Sequence, residues 1–151
     1  MTRASRWAVR AAQATTGGAL LLVLAGCGAP QMVALGAACA QDKDGSAVVV
    51  DGFVSAGSVV SCDNYSGDYR CGLDLYENPD ASGARASIDI IVGSGANTID
   101  EPPKDYTDAD VKVHTDNGST LVVGDKARAT GDISVAPGGV CYVTVDKIEK
   151  L

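Results

Sequence analysis

Hydrophobic and polar residues alternate along most of the chain after residue 46, with the period of two that is typical of β-strands with one buried face. In residues 71–76, for example, Cys71, Leu73 and Leu75 fall on one face. No stretch of useful length shows the helical period of 3.6 residues. The alternation predicts strands at residues 48–54, 71–76, 86–92, 111–114, 120–123, 126–135 and 140–148. The sequence therefore predicts an all-β domain.

Turn-forming residues separate these segments. An Asn-Pro-Asp sequence lies at residues 78–80, and a Pro-Gly-Gly sequence at residues 137–139 precedes the last predicted strand. The Asp-Asn-Gly sequence at residues 116–118 predicts a hairpin, because Asn and Gly tolerate positive φ. Residues 93–110 contain Pro102 and Pro103 and predict a long connection with at most one short helical turn, near residues 106–110.

The order of these elements resembles the plan of the OB-fold, in which three consecutive strands, a long connection and two further strands form a five-stranded barrel. Residues 123–133 (VGDKARATGDI) resemble the segment that enters the fourth strand of many small OB-fold proteins, including the tRNA_anti-like family. The small inward residues Ala127, Ala129 and Gly131 suit a tightly curved wall. The resemblance implies a small OB-like barrel over residues 47–151 that serves as a binding module; a β-sandwich or an incomplete barrel is the alternative.

The first 26 residues have the pattern of an export signal. Three arginines precede the apolar run at residues 19–25, which is too short to span a bilayer as a mature helix. The run ends in Leu-Ala-Gly-Cys at residues 24–27, which resembles the lipobox of bacterial lipoproteins. That resemblance implies that residues 1–26 are a signal peptide and that Cys27 carries a diacylglycerol and a fatty acyl chain such as palmitate. An ordinary cleavage site at residues 38–40 is the alternative.

Residues 27–46 are rich in Ala, Gly and polar residues and show no sustained periodicity. We interpret them as the lipidated N-terminus and a flexible tether. The expected location is extracytoplasmic, with the lipid holding the protein on a bacterial membrane; the sequence leaves open whether this is the cytoplasmic or the outer membrane.

The charge of the chain argues against nucleic acid as a partner. Without residues 1–26, nine basic and nineteen acidic residues remain, which is a net charge of −10. Affinity for nucleic acid depends on Lys and Arg side chains that neutralise phosphates, and the chain has no basic stripe or tail. The same charge disfavours docking on anionic lipid, so the acyl chains are the expected membrane attachment.

Four cysteines remain once Cys27 is assigned to lipid. An even number in a small exported domain predicts two disulfides, for which three pairings exist. Cys62 and Cys71 flank the polar stretch 63–70, which we interpret as a loop, and a bridge between them would close the base of a hairpin. We therefore favour Cys62–Cys71 and, by elimination, Cys39–Cys141. Zinc is the competing use of four cysteines, but no Cys-x-x-Cys spacing exists.

Candidate catalytic chemistry is sparse. His114 is the only histidine, so any mechanism that needs an imidazole depends on it, and we interpret it as a solvated strand end. The acidic residues at 42–45 and 105–110 do not have the spacing of a calcium loop. We expect no catalytic residue, no metal site and no cofactor.

The best candidate ligand site is an aromatic group near the first hairpin: Tyr65, Tyr69 and Tyr76 with Arg70. OB-folds use the neighbouring face for ligands, although tyrosines on hairpins are also ordinary cross-strand packing partners. The sequence thus predicts a noncatalytic, lipid-anchored module that binds a protein or glycan of the cell envelope. The alternatives are a structural or stress-related envelope lipoprotein without a discrete ligand, and a hydrolase that uses paired carboxylates.

Overall fold

The computed structural model describes residues 28–65 and 67–151. Within them the strands are β1 (Gln31–Met32), β2 (Ala47–Ser55), β3 (Ser61–Tyr65), β4 (Asp68–Tyr76), β5 (Arg85–Ile91), β6 (Thr98–Ile99), β7 (Val113–His114), β8 (Thr120–Leu121), β9 (Lys126–Val135) and β10 (Cys141–Lys150). The helical segments are one α-helical turn, α1 (Leu35–Ala38), and two 3-10 turns, Gln41–Lys43 and Asp108–Asp110. The predicted signal peptide and Cys27 lie outside the described residues.

Five long strands, β2, β4, β5, β9 and β10, form a closed barrel. Four of the five pairings are antiparallel: β2 with β4, β4 with β5, β9 with β10, and β2 with β9. The fifth, between β5 and β10, is parallel. The first three barrel strands, β2, β4 and β5, are therefore closed by the last two in a five-stranded, OB-like arrangement. The predicted all-β, OB-like fold class is confirmed.

The hydrophobic core occupies the inside of this barrel. Most residues that alternation places inward on the barrel strands are buried: Val48, Val50, Val54, Leu73, Leu75, Ala86, Ile88, Ile90, Ala127, Ala129, Ile133, Val143 and Val145. Val92, also expected inward, is half-buried, and a shift of register after Val145 buries Ile148 in place of Lys147. Complete burial of a Val, Leu or Ile side chain contributes about 1.5–3 kcal/mol of hydrophobic free energy. The alternation that forms the strands therefore also places the side chains whose burial stabilises the fold.

β9 and β10 lie very close together at Gly131. A Cβ atom at this position would overlap the backbone carbonyl oxygen of Thr144. The pairing register shifts opposite Gly131, between Val145 and Lys147, so that Asp146 is the extra residue of a β-bulge. Bulges bend and twist a strand, and together with the small inward side chains this one lets the sheet curve enough to close.

The segment predicted as a flexible tether packs against the barrel from residue 31 onward. β1 pairs in parallel with β2, and Leu35 and Ala38 of α1 are buried in the core. The Asp44 carboxylate accepts a hydrogen bond from the Val135 backbone N–H at 2.8 Å. The tether interpretation is wrong for residues 31–46, because these contacts join residues far apart in the sequence and leave no periodic pattern.

The polar stretch 63–70, predicted as a loop, is itself paired. Cys62 lies opposite Cys71, and the ladder continues outward to Tyr65, which lies opposite Asp68. The hairpin therefore turns within two residues, and Gly67 has a φ of +94°. The loop prediction is wrong here because polar side chains are compatible with a strand that stands at the edge of a sheet and is exposed to solvent.

The long connection between β5 and β9 carries a small sheet of its own, in which β7 pairs with both β6 and β8. The predicted hairpin and the predicted helical turn near residue 110 are both present, whereas β6 was not predicted. Ile99, Val113 and Leu121 are buried and join the core of the barrel. This connection therefore adds to the barrel core.

Both favoured disulfides are present, Cys62–Cys71 and Cys39–Cys141. The first fixes the base of the β3–β4 hairpin, and the second fastens the N-terminal segment to the start of β10. Two disulfides indicate an oxidising, extracytoplasmic environment. In the described part of the chain, no helix combines the length and the apolar character that crossing a bilayer requires.

We predict that the two disulfides contribute unequally to stability. In the chain-entropy model, Cys39–Cys141, with a separation of 102 residues, contributes about 4.7 kcal/mol, and Cys62–Cys71, with a separation of 9 residues, contributes about 2.5 kcal/mol. The double variants Cys39→Ala/Cys141→Ala and Cys62→Ala/Cys71→Ala should therefore lose stability in that order in urea unfolding. Each double variant removes one deeply buried sulfur atom, so the loss of stability from the cavity left behind should be similar in the two. Equal losses of stability would contradict the prediction.

Candidate functional site

A groove runs across the outer surface of the barrel. We call it the outer groove; its volume is about 540 Å³. Its lining comes from five strands, β3, β4, β5, β9 and β10, and consists of Ser61, Asp63, Arg70, Gly72, Ser87, Asp89, Ser134, Tyr142 and Thr144. None of these residues is aliphatic. The groove therefore presents hydroxyl groups, charges and one aromatic ring.

Strand register explains why residues far apart in the sequence meet in the outer groove. Ser61 lies opposite Gly72, Gly72 opposite Asp89, Asp89 opposite Thr144, and Thr144 opposite Asp132. These five residues, which we call the central row, cross the sheet from β3 to β9. Each occupies an outward position of its strand, so the alternation that buries the core also produces this polar surface.

A second row lies beside the central row. Ser134 lies opposite Tyr142, Tyr142 opposite Ser87, and Ser87 opposite Asp74. The Ser87 hydroxyl donates a hydrogen bond to Asp74 Oδ1 at 2.8 Å. The Tyr142 side chain is 42% exposed, so its ring is available to a ligand. This row adds an aromatic surface to the hydroxyl-rich groove.

Asp89 is the carboxylate at the centre of the groove. Burial raises the pKa of its carboxyl group, and the positive charge of Arg70 opposes this effect only in part. Gly72, its neighbour on β4, has no side chain, and a Cβ there would lie 3.4 Å from Asp89 Oδ1. The glycine therefore keeps the groove open above the carboxylate.

Arg70 is the cation of the groove lining, but its guanidinium is already engaged. It pairs with the Asp68 carboxylate at 3.2 Å and donates a weak hydrogen bond to the backbone carbonyl of Asp89 at 3.4 Å. Its side chain is only 16% exposed. Arg70 therefore does not supply an open anion-binding site.

Tyr69, Arg70 and Tyr76, three of the residues predicted as a ligand site, are not brought together into one site. Arg70 lines the outer groove, whereas the Tyr69 hydroxyl donates a hydrogen bond to Glu101 Oε1 at 2.7 Å, which raises the pKa of Tyr69. Tyr76 lies opposite Arg85, next to the groove rather than in its lining. Tyr65 pairs with Asp68 near the hairpin tip, and its side chain is not described. The role of these residues in binding stays a prediction.

Sequence reasoning missed Asp89, Ser87, Ser134 and Thr144. Each stands at an outward position of a predicted strand, so the alternation contained the signal that they share the outer face of the barrel. What it did not contain was the register between distant strands. Among the residues described here, no group of three His, Cys, Asp or Glu side chains is arranged to hold a metal ion.

His114 forms a hydrogen bond through Nε2 with Asp100 Oδ1 at 2.8 Å. The pair lies in the small sheet of the connection, where β6 and β7 meet. It is not part of the outer groove. The imidazole therefore holds two strands of the connection together and does not approach the groove carboxylates.

No family model matches this chain, and no curated protein matches it at a significant level. The fold assignment therefore depends on strand order and register. The resemblance to the tRNA_anti-like family stays a prediction from residues 123–133.

We predict that Asp89→Asn stabilises the protein at neutral pH. The folded state holds the Asp89 proton more tightly than the unfolded chain does, so ionisation of Asp89 costs stability as the pH rises through its folded pKa. The neutral variant avoids this cost. The gain in unfolding free energy of Asp89→Asn over the wild type should be full at neutral pH and should disappear as the pH falls below the usual pKa of an aspartate. Urea unfolding at several pH values measures this difference.

The matched control is Asp105→Asn, which removes the same charge from an exposed loop. It corrects for the general relief of repulsion in an acidic protein. An Asp89→Asn effect no larger than that of the control, or one that grows at low pH, would contradict the prediction.

Proposed function

We propose that this protein is a lipid-anchored, noncatalytic binding module of the bacterial envelope whose outer groove holds a glycan. The observation that carries the proposal is the lining of the groove, in which four hydroxyl side chains and one exposed tyrosine ring accompany the charged residues and no aliphatic side chain appears. Hydroxyl and carboxylate groups match the hydrogen-bonding pattern of a sugar. OB-folds bind oligosaccharides on this part of the barrel.

A protein partner receives less support from the same lining. Stable protein interfaces have a core enriched in aromatic residues and Met, and groove-bound peptides rely on apolar anchors. The outer groove offers one tyrosine and no apolar pocket. A glycan therefore fits the lining better than a peptide does.

The proposed anchor would hold the barrel close to the membrane. The folded domain begins at Gln31, so only residues 28–30 separate it from Cys27. Three extended residues span at most about 10 Å. The Cys39–Cys141 bridge then keeps the segment attached to the barrel. A domain held this close to the membrane would bind a ligand at the membrane surface.

The anchored end also lies beside the outer groove. Gly28 and Ala29 line a smaller depression of about 360 Å³ together with Asp132 of β9. Asp132 is the last residue of the central row and lies opposite Thr144, which lines the outer groove. The groove would thus face the region just above the membrane, where lipid-linked glycans are exposed.

A hydrolase with paired carboxylates is the second candidate, because Asp63 and Asp89 both line the groove. The Asp63 carboxylate accepts a hydrogen bond from the Ser61 hydroxyl at 2.9 Å. Enzymes of this kind need one carboxylic acid and one carboxylate on opposite sides of the scissile bond. Chromatography of an envelope glycan after incubation with the protein separates the two functions, because only a hydrolase releases shorter products.

We predict that the mature protein begins at Cys27 and carries acyl chains. Intact-mass analysis of protein extracted from membranes should give the mass of residues 27–151 plus a diacylglycerol and a fatty acyl group. Cys27→Ala should lack the lipid mass and retain residues 1–26, since lipidation precedes cleavage in lipoproteins. The double variant Cys39→Ala/Cys141→Ala is the control and should keep the lipid. An unmodified Cys27 or a mature terminus at Gln41 would contradict the anchor.

We predict that Gly72→Val blocks glycan binding. The added side chain would project into the outer groove beside Asp89, where the glycine leaves space. Binding to an immobilised polysaccharide fraction from the bacterial envelope should fall at least tenfold, with little change in unfolding. Gly95→Val, at an open loop position, should bind like the wild type. Equal binding by the wild type and Gly72→Val would refute the assignment of the groove.

A further inference from the structure

The outer groove contains a carboxylate, that of Asp89, with which no cation of the described residues forms a direct ion pair. In the described part of the chain, no side chain donates a hydrogen bond to the Asp89 carboxylate, and the Arg70 guanidinium contacts its backbone carbonyl instead. Arg70 itself pairs with Asp68. The nearby cation Arg85 pairs with Asp74 at 3.6 Å. The centre of the groove therefore carries a negative charge that the nearby Arg70 compensates only in part.

Ionisation of Asp89 is unfavourable in this position. Burial raises the pKa of Asp89 despite the neighbouring arginine, so the ionised form is held in an unfavourable place. A bound cation would stabilise that form. Residues that are kept at a cost in stability and face a groove are typical of binding sites.

The surroundings of Asp89 favour an organic ammonium group over a metal ion. Calcium takes six to eight oxygen ligands, usually including several carboxylates. Asp63 is the other carboxylate of the groove lining, and no group of three His, Cys, Asp or Glu side chains in the described residues is arranged to hold a metal ion. The neighbours of Asp89 are Thr144 and Gly72 in the central row, and Ser87 two residues away on the same face of β5. An ammonium group has three N–H donors, which match one carboxylate and adjacent hydroxyl oxygens. The exposed ring of Tyr142 adds a surface on which a cationic sugar can lie.

We propose that the outer groove binds an amino sugar and that the carboxylate of Asp89 holds its free, protonated amine. The inference rests on the proposed glycan-binding function and names the ligand class of the same groove. The hydroxyl side chains bind the hydroxyl groups of the sugar, and Asp89 distinguishes a free amine from an acetylated one. An acetamido group has no charge and leaves the half-buried carboxylate without a bound cation.

The test compares two hexasaccharides of the same length, the glucosamine hexamer and the N-acetylglucosamine hexamer, which differ only in acetylation of the amine. Binding of each to the full mature protein in detergent is measured by calorimetry for the wild type, Asp89→Asn and Asp105→Asn. We expect the wild type to prefer the glucosamine hexamer at least tenfold. Asp89→Asn should lose that preference, so that it binds the two hexamers equally, whereas Asp105→Asn should retain the preference.

The other outcomes are distinguishable. If both hexamers bind the wild type equally and Asp89→Asn changes nothing, the groove binds glycans but the role of Asp89 is wrong. If the glucosamine hexamer binds Asp89→Asn as tightly as the wild type, its affinity is only general attraction to an acidic protein, and the proposal fails. If neither hexamer binds, the glycan function fails together with the inference. Thermal unfolding of each variant shows whether a loss of binding reflects a loss of fold.

Discussion

The parallel pairing of β5 with β10 is the contact on which the rest of the structure depends. It joins the three-strand meander to the final hairpin and closes the barrel, so every inward side chain gains partners on all sides. The same pairing sets Asp89 beside Thr144 and Ser87 beside Tyr142. Closure of the barrel and assembly of the outer groove therefore depend on the same strand pairing.

Closure requires strong curvature, and the chain provides it at few positions. Ala127, Ala129 and Gly131 take little space on the inside of β9, and the bulge at Asp146 bends β10 around them. The two disulfides then hold the parts that barrel pairing alone would leave weak, the projecting hairpin and the N-terminal segment. A domain of this size has a modest core, so such crosslinks contribute a large share of its stability.

Unlike the core, the outer face of the barrel contributes little to stability. A groove lined by hydroxyls contributes little hydrophobic free energy, and the charge of Asp89, which Arg70 compensates only in part, reduces stability further. The barrel tolerates this because its core lies on the other side of the same strands. Under the proposed anchoring, the disulfide-held N-terminal segment would also set where this face stands relative to the membrane.

The sequence by itself determined the five barrel strands, most of their inward faces and the main turns, because alternation and turn chemistry depend on neighbouring residues. It also favoured both disulfides, since few cysteines leave few pairings. Only the tertiary structure decided that residues 31–46 pack on the barrel, that the polar stretch after Cys62 is paired, and that Asp89 meets Thr144. The physical reason is shared: these features depend on register between segments up to about a hundred residues apart, on which local pattern has no influence.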